Sequence, residues 1–139
     1  MSTQDIRPVK NRLRAECKQK RTALSDSEKV QMDARLAERF FASRQYREND
    51  MLFCYVSTEI EVDTREILRR AIADGKTVAA PRCVDGTREM DFYILQDMSA
   101  LESGSFGVLE PNPALCRKVT DFSEGLCIIP ALAFDKSGY

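Results

Sequence analysis

The sequence has no histidine and no tryptophan. Without histidine there is no Ser-His-Asp triad, no Cys-His nucleophile pair and no His-ligated zinc. The usual general base near neutral pH is also absent. Chemistry must come from Lys, Arg, Glu, Asp, Cys, Tyr, backbone groups or a bound ion. Long hydrophobic runs are lacking too. The longest extends from Leu126 to Phe134, well short of the roughly 20 residues of a membrane span. The first 20 residues are polar and basic, which excludes a secretory signal there. The five cysteines, at 17, 54, 83, 116 and 127, form no C-x-x-C. This spacing suggests neither a redox dithiol nor a zinc knuckle. Cys54 and Cys127 lie inside apolar runs and read as core residues of a reducing compartment.

What is present suits a single folded domain. The 139 residues are 43% hydrophobic and 31% charged, a balance that builds a core and argues against disorder. Charge is unevenly placed. Residues 1–47 carry a balance of +6 and residues 48–139 one of −7. A basic first third points to an anionic partner or to a solvated helix face. With a net charge of −1 and no aromatic-interleaved basic stripe, nucleic acid is not an expected partner.

Periodicity supplies the elements. Val9, Leu13, Cys17 and Leu24 lie on one helical stripe, with Pro8 in the first turn. Ser25 and Glu28 read as a capping box opening a second helix, with Val30, Ala34, Ala37 and Phe41 as its stripe. The run 51–56 reads as a strand buried on both faces, which favours a parallel sheet. Asp63 and Glu66 form another possible capping box, and Gly75 sits where a helix should end. Further strands are expected at 77–80, stopping at Pro81, at 91–95, and at 126–129, ending before Pro130. Residues 103–113 read as a loop ordered by Phe106, Val108 and Leu109. These elements make an α/β domain over residues 1–139. The chain stops just after a core strand with no helix to cover it, so it is read as cut short at its C-terminus.

In open α/β sheets ligands bind beyond the carboxyl ends of the strands. The segments expected there are 57–61, Pro81-Arg82 and 130–139. Glu61 could cap a helix or hydrogen-bond a polar heterocycle. Arg82 could clamp a phosphate or pair with an acid. Lys10 and Arg14, four apart on one helix face, could hold a polyphosphate, the lysine as a point charge and the arginine as a bidentate fork. No Walker A sequence is present.

An ordered set of motifs then stands out: K-N-R-L-R at 10–14, Y-V-S-T-E-I-E-V-D-T at 55–64, A-P-R at 80–82, M-D-F at 90–92, F-G-V-L-E-P at 106–111 and I-P-A-L-A-F-D-K-S-G at 129–138. By this set the chain resembles the 5-formyltetrahydrofolate cyclo-ligases, also called 5,10-methenyltetrahydrofolate synthetases. The resemblance implies a three-layer α/β/α fold with N-terminal helices and a mostly parallel sheet, lacking its last strand and helix. It implies ATP- and Mg²⁺-dependent cyclisation of 5-formyltetrahydrofolate to 5,10-methenyltetrahydrofolate through a phosphorylated formyl group, in a cytoplasmic monomer. Such phosphoryl chemistry needs positioning and charge rather than histidine. By position, Lys10, Arg14 and Arg82 would bind ATP phosphates, and Val56 and Glu61 the folate. Phe134, Asp135 and Gly138 would lead into the ATP loop. The family's R-L-G-x-G-x-G-Y-Y-D stretch, with its magnesium ligand, does not occur in the 139 residues, so no metal ligand is assigned. The competing expectation is a non-catalytic fragment that binds folate or another protein.

Overall fold

The computed structural model describes residues 4–139, with only the backbone of Phe106. The order is α1 (Arg7–Thr22), α2 (Asp26–Ala42), α3 (Arg44–Glu48), β1 (Met51–Cys54), α4 (Arg65–Ala73), β2 (Thr77–Cys83), β3 (Met90–Leu95), β4 (Leu101–Ser103), β5 (Leu109–Pro111), β6 (Arg117–Lys118) and β7 (Leu126–Ile128). Five strands form one sheet in the order β6-β3-β2-β1-β7, and β4 and β5 form a separate ribbon. β1 runs parallel to β2 and β7. β3 is antiparallel to both β2 and β6. The α/β architecture is therefore a mixed sheet, with a parallel half around β1 that carries the loops of interest.

Alternation along the strands sorts the core into two faces. Leu52, Cys54, Val78, Ala80 and Leu95 join Ala37, Tyr46, Ile67, Leu68 and Ala71 from α2, α3 and α4. The opposite face holds Phe53, Ala79 and Val119, with Met51, Phe92 and Ile94 packed against them. Among the described residues no helix contributes to that second cluster; Phe122 stacks on Phe53 at 5.5 Å instead. This explains the different fates of two cysteines expected to be alike. Cys54 points to the helical face and is fully buried, whereas Cys127 points to the other face and is exposed.

Local chemistry accounts for the element ends. The Ser25 hydroxyl accepts from the Glu28 amide at 3.1 Å and donates to the Glu28 carboxylate at 2.9 Å, opening α2. α4 closes on Gly75 at φ 83°. The amide of Gly75 donates to the Ile72 carbonyl and that of Lys76 to the Ala71 carbonyl, each at 3.0 Å. These are the paired bonds of a Schellman turn. α3 was not expected. Ser43 caps it, and its buried Tyr46 donates to Asp74 at 2.5 Å, tying it to the end of α4.

Three expectations need correcting. The box at Asp63 and Glu66 does not form. Thr64 is the N-cap and makes no side-chain cap bond, because its hydroxyl is used within the preceding loop. β2 does not stop at Pro81. β1 pairs only as far as Ala79, so Pro81 sits where β2 has a partner on one side alone and its missing N–H is tolerated. Finally, α1 buries none of its residues, and Val9 and Leu13 are both half exposed. Leu13 and Cys17 of its stripe line a groove, and Leu24, expected on the same stripe, lies beyond the end of the helix at Thr22. The expected loop at 103–113 contains the β4–β5 ribbon; the proposed ordering by the Phe106 side chain lies outside the described residues.

Candidate active site

The loop after β1 is built to hold one shape. Ser57 and Thr64 bond reciprocally: the Ser57 amide donates to Thr64 Oγ1 at 3.0 Å, and the Thr64 amide to Ser57 Oγ at 3.1 Å. Thr64 Oγ1 also donates to the Tyr55 carbonyl at 2.7 Å. The Tyr55 hydroxyl donates to the Val62 carbonyl at 3.2 Å. Burial, and then the charge of Glu61, push the Tyr55 hydroxyl up to about 12, so it remains a neutral donor. Within this frame Glu61 Oε1 accepts from both the amide and the hydroxyl of Thr58, each at 2.8 Å. The carboxylate is thus preset by its own loop, as short-range polar side chains often are.

Several grooves open around this loop and α1, and two of them hold the candidate residues. The larger, about 630 Å³, is lined by Lys10, Leu13, Arg14 and Cys17 of α1 and by residues 132–135 and Tyr139 of the C-terminal segment. Among the described residues Lys10 makes no ion pair, and Arg14 reaches only Asn11 at 3.3 Å. Both charges are available to an anion. Across from them, Asp135 Oδ1 accepts from the amides of Ser137 and Tyr139 at 2.8 and 2.9 Å. These bonds hold the Asp135 carboxyl below its ordinary value of 3.8. The second groove, about 290 Å³, is lined by Arg21, Leu24, Lys29, Asp33, Ile60, Glu61, Val62 and Phe134, among others. Lys29 and Asp33 are paired at 2.5 Å on α2. Phe134 belongs to both grooves.

The structure therefore brings Lys10, Arg14, Phe134 and Asp135 to one groove and Glu61 to its neighbour. It places Arg82 elsewhere. That guanidinium bonds Glu102 at 2.9 Å and the Pro111 carbonyl at 3.1 Å, fastening the β4–β5 ribbon to β2. Val56 is 3% exposed and packs in the main core, beneath the loop rather than in either groove.

Sequence reasoning overlooked Arg21. Its guanidinium donates to the Ile60 carbonyl at 3.1 Å and to those of Ala131 and Leu132 at 2.7 and 2.8 Å. The signal was its spacing, 7 residues after Arg14 and 11 after Lys10, which is one helix face.

The chain matches the model of the 5-formyltetrahydrofolate cyclo-ligase family over residues 6–139. It belongs to that family. Over 143 residues it is 29% identical to the 5-formyltetrahydrofolate cyclo-ligase of Mus musculus, covering 99% of this chain and 70% of the mouse protein. It is also 29% identical to the probable 5-formyltetrahydrofolate cyclo-ligase of Caenorhabditis elegans, covering 96% of this chain and 67% of that protein. The solved structure of Aquifex aeolicus 5,10-methenyltetrahydrofolate synthetase superposes with a TM-score of 0.81 at 22% identity. That match covers 94% of this chain and 65% of the solved one, and it establishes the shared fold. The cyclo-ligases are ligases, and no helix among the described residues is long and apolar enough to cross a membrane.

Proposed function

We propose that the chain binds 5-formyltetrahydrofolate and ATP for the cyclisation that yields 5,10-methenyltetrahydrofolate. The observation that carries this reading is the pair of adjoining grooves. One presents two cations with no ion-pair partner among the described residues, the other a preset carboxylate, and Phe134 forms a wall of each.

Lys10 and Arg14 fit a polyphosphate, since a lysine and an arginine one turn apart offer a point charge and a planar fork to the same anion. Bound there, ATP would supply the phosphoryl group that turns the formyl oxygen into a leaving group. Glu61, acceptor-only while ionised, would take N–H donors from the pterin-like ring and so orient the folate. Phe134, 70% exposed, would offer its ring to whichever ligand spans the two grooves. Arg82 and Val56 act indirectly, one by fastening the ribbon and the other by supporting the Glu61 loop. Among the described residues no group of three or more Cys, Asp or Glu could hold a metal ion. No residue is assigned to the expected magnesium, and no step is routed through it.

The test is ATP-dependent formation of methenyltetrahydrofolate, followed by its near-ultraviolet absorbance, alongside calorimetry with 5-formyltetrahydrofolate. Turnover that needs ATP and falls in Lys10→Ala and Glu61→Ala supports the reading. Binding without turnover would confine the chain to folate recognition. The absence of both binding and turnover would overturn the proposal.

A further inference from the structure

Resting on that reading, we infer that Arg21 is a positioning residue that couples the two grooves, so that each ligand tightens the binding of the other. Its three carbonyl partners lie on both sides. Ile60 immediately precedes Glu61, and Leu132 lines the groove of Lys10 and Arg14. The segment 130–139 is otherwise loosely attached. Among the described residues, its only side-chain hydrogen bonds to another element are the two from Arg21, and those of Asp135 close the segment on itself.

The physical argument concerns shared ordering. A polyphosphate on Lys10 and Arg14 needs α1 and residues 132–135 held together. A folate on Glu61 needs residues 60–62 and Phe134 in place. Arg21 belongs to α1 and joins it to both segments. Whichever ligand binds first fixes these three pieces, and the second no longer bears that entropic cost. Three charge-assisted bonds from one planar guanidinium make the tie rigid. A lysine ammonium at the same site would be a single, freely rotating point with poorer reach to three separated carbonyls.

The experiment is a double-ligand calorimetric cycle on the whole chain. The Kd for 5-formyltetrahydrofolate is measured alone and with saturating magnesium AMP-PNP, in the wild type, Arg21→Lys and Arg21→Gln. The wild type is expected to gain about ten-fold in affinity with the nucleotide analogue, and the variants less than about two-fold. A variant that is merely less stable would weaken both ligands and leave the ratio near its wild-type value. Melting curves identify any variant that fails to fold, and Arg21→Lys, the milder change, then carries the comparison. Hydrogen exchange at residues 58–62 with AMP-PNP alone gives a second readout if neither variant folds. Protection of those amides in the wild type supports the coupling, and its absence overturns it. A ratio preserved in a folded variant, or no gain in the wild type, also overturns it while the proposed function stands. Failure of the wild type to bind 5-formyltetrahydrofolate at all overturns the proposed function, and the inference falls with it.

Discussion

A β-carbon on Gly104 would collide with the side chain of Glu110. Glu110 is 3% exposed, an unusual place for a carboxylate. It is satisfied by two amides, Cys83 at 2.8 Å and Ser105 at 2.7 Å, which join the β4–β5 ribbon to the end of β2. Gly104→Ala should displace this carboxylate and cost about 1–3 kcal/mol, as overpacking of a tight site does. Glu110→Ala should cost more, since it empties a buried site and removes both part-buried amide bonds, at up to about 1–3 kcal/mol each. Urea unfolding of both variants checks the order. Wild-type stability in Glu110→Ala would refute the role given to this residue.

Lys10 and Arg14 present the opposite case. Both are exposed, and neither supports the fold. Lys10→Ala and Arg14→Ala should leave the urea midpoint unchanged while weakening ATP binding by about 10-fold or more, the scale of one charge-assisted hydrogen bond. Equal losses of stability and affinity would mean that the two cations hold α1 in place instead.

Alkaline pH should destabilise the protein through Cys54. Burial pushes this thiol from 9.0 up to about 12. The folded state therefore holds the proton more tightly than the unfolded state. The contribution is complete below pH 9 and is lost as pH rises toward 12, at about 1.4 kcal/mol per pH unit. Tyr55, raised from 10.0 to about 12, adds to the loss above pH 10. Denaturation midpoints between pH 8 and 11 should fall, and less steeply in Cys54→Ala. An identical slope in that variant would show that the thiol does not titrate in this window.

Much of this architecture was legible in the residues, for reasons that also explain the failures. Ser25 and Gly75 act through their immediate neighbours, so local spacing reveals them. The run at 51–56 announced a parallel strand because both of its faces are apolar. Cys127 misled because an apolar run does not say whether anything covers its second face. Pro81 misled because the tolerance of a strand for proline depends on where its neighbour ends. The site divides in the same way. Lys10 and Arg14 share one helix turn and could be paired by eye. Glu61 lies in a loop whose reciprocal Ser57–Thr64 bonds link residues 7 apart. Arg82 was expected either to clamp a phosphate or to pair with an acid, and its partners, Glu102 and the Pro111 carbonyl, lie 20 and 29 residues away, beyond the reach of local spacing. Arg21 went unnoticed because its partners lie 39 to 111 residues away.

The central claim is that Glu61 holds the folate. The most direct measurement is the affinity of the wild type and Glu61→Ala for 5-formyltetrahydrofolate, with urea midpoints as the control. Loss of the carboxylate should weaken binding by about 10-fold or more. Stability should change by less than about 1 kcal/mol, because Glu61 is only half-buried and its bonds to Thr58 are local. Equal affinity in the two proteins, with both folded, would contradict the account.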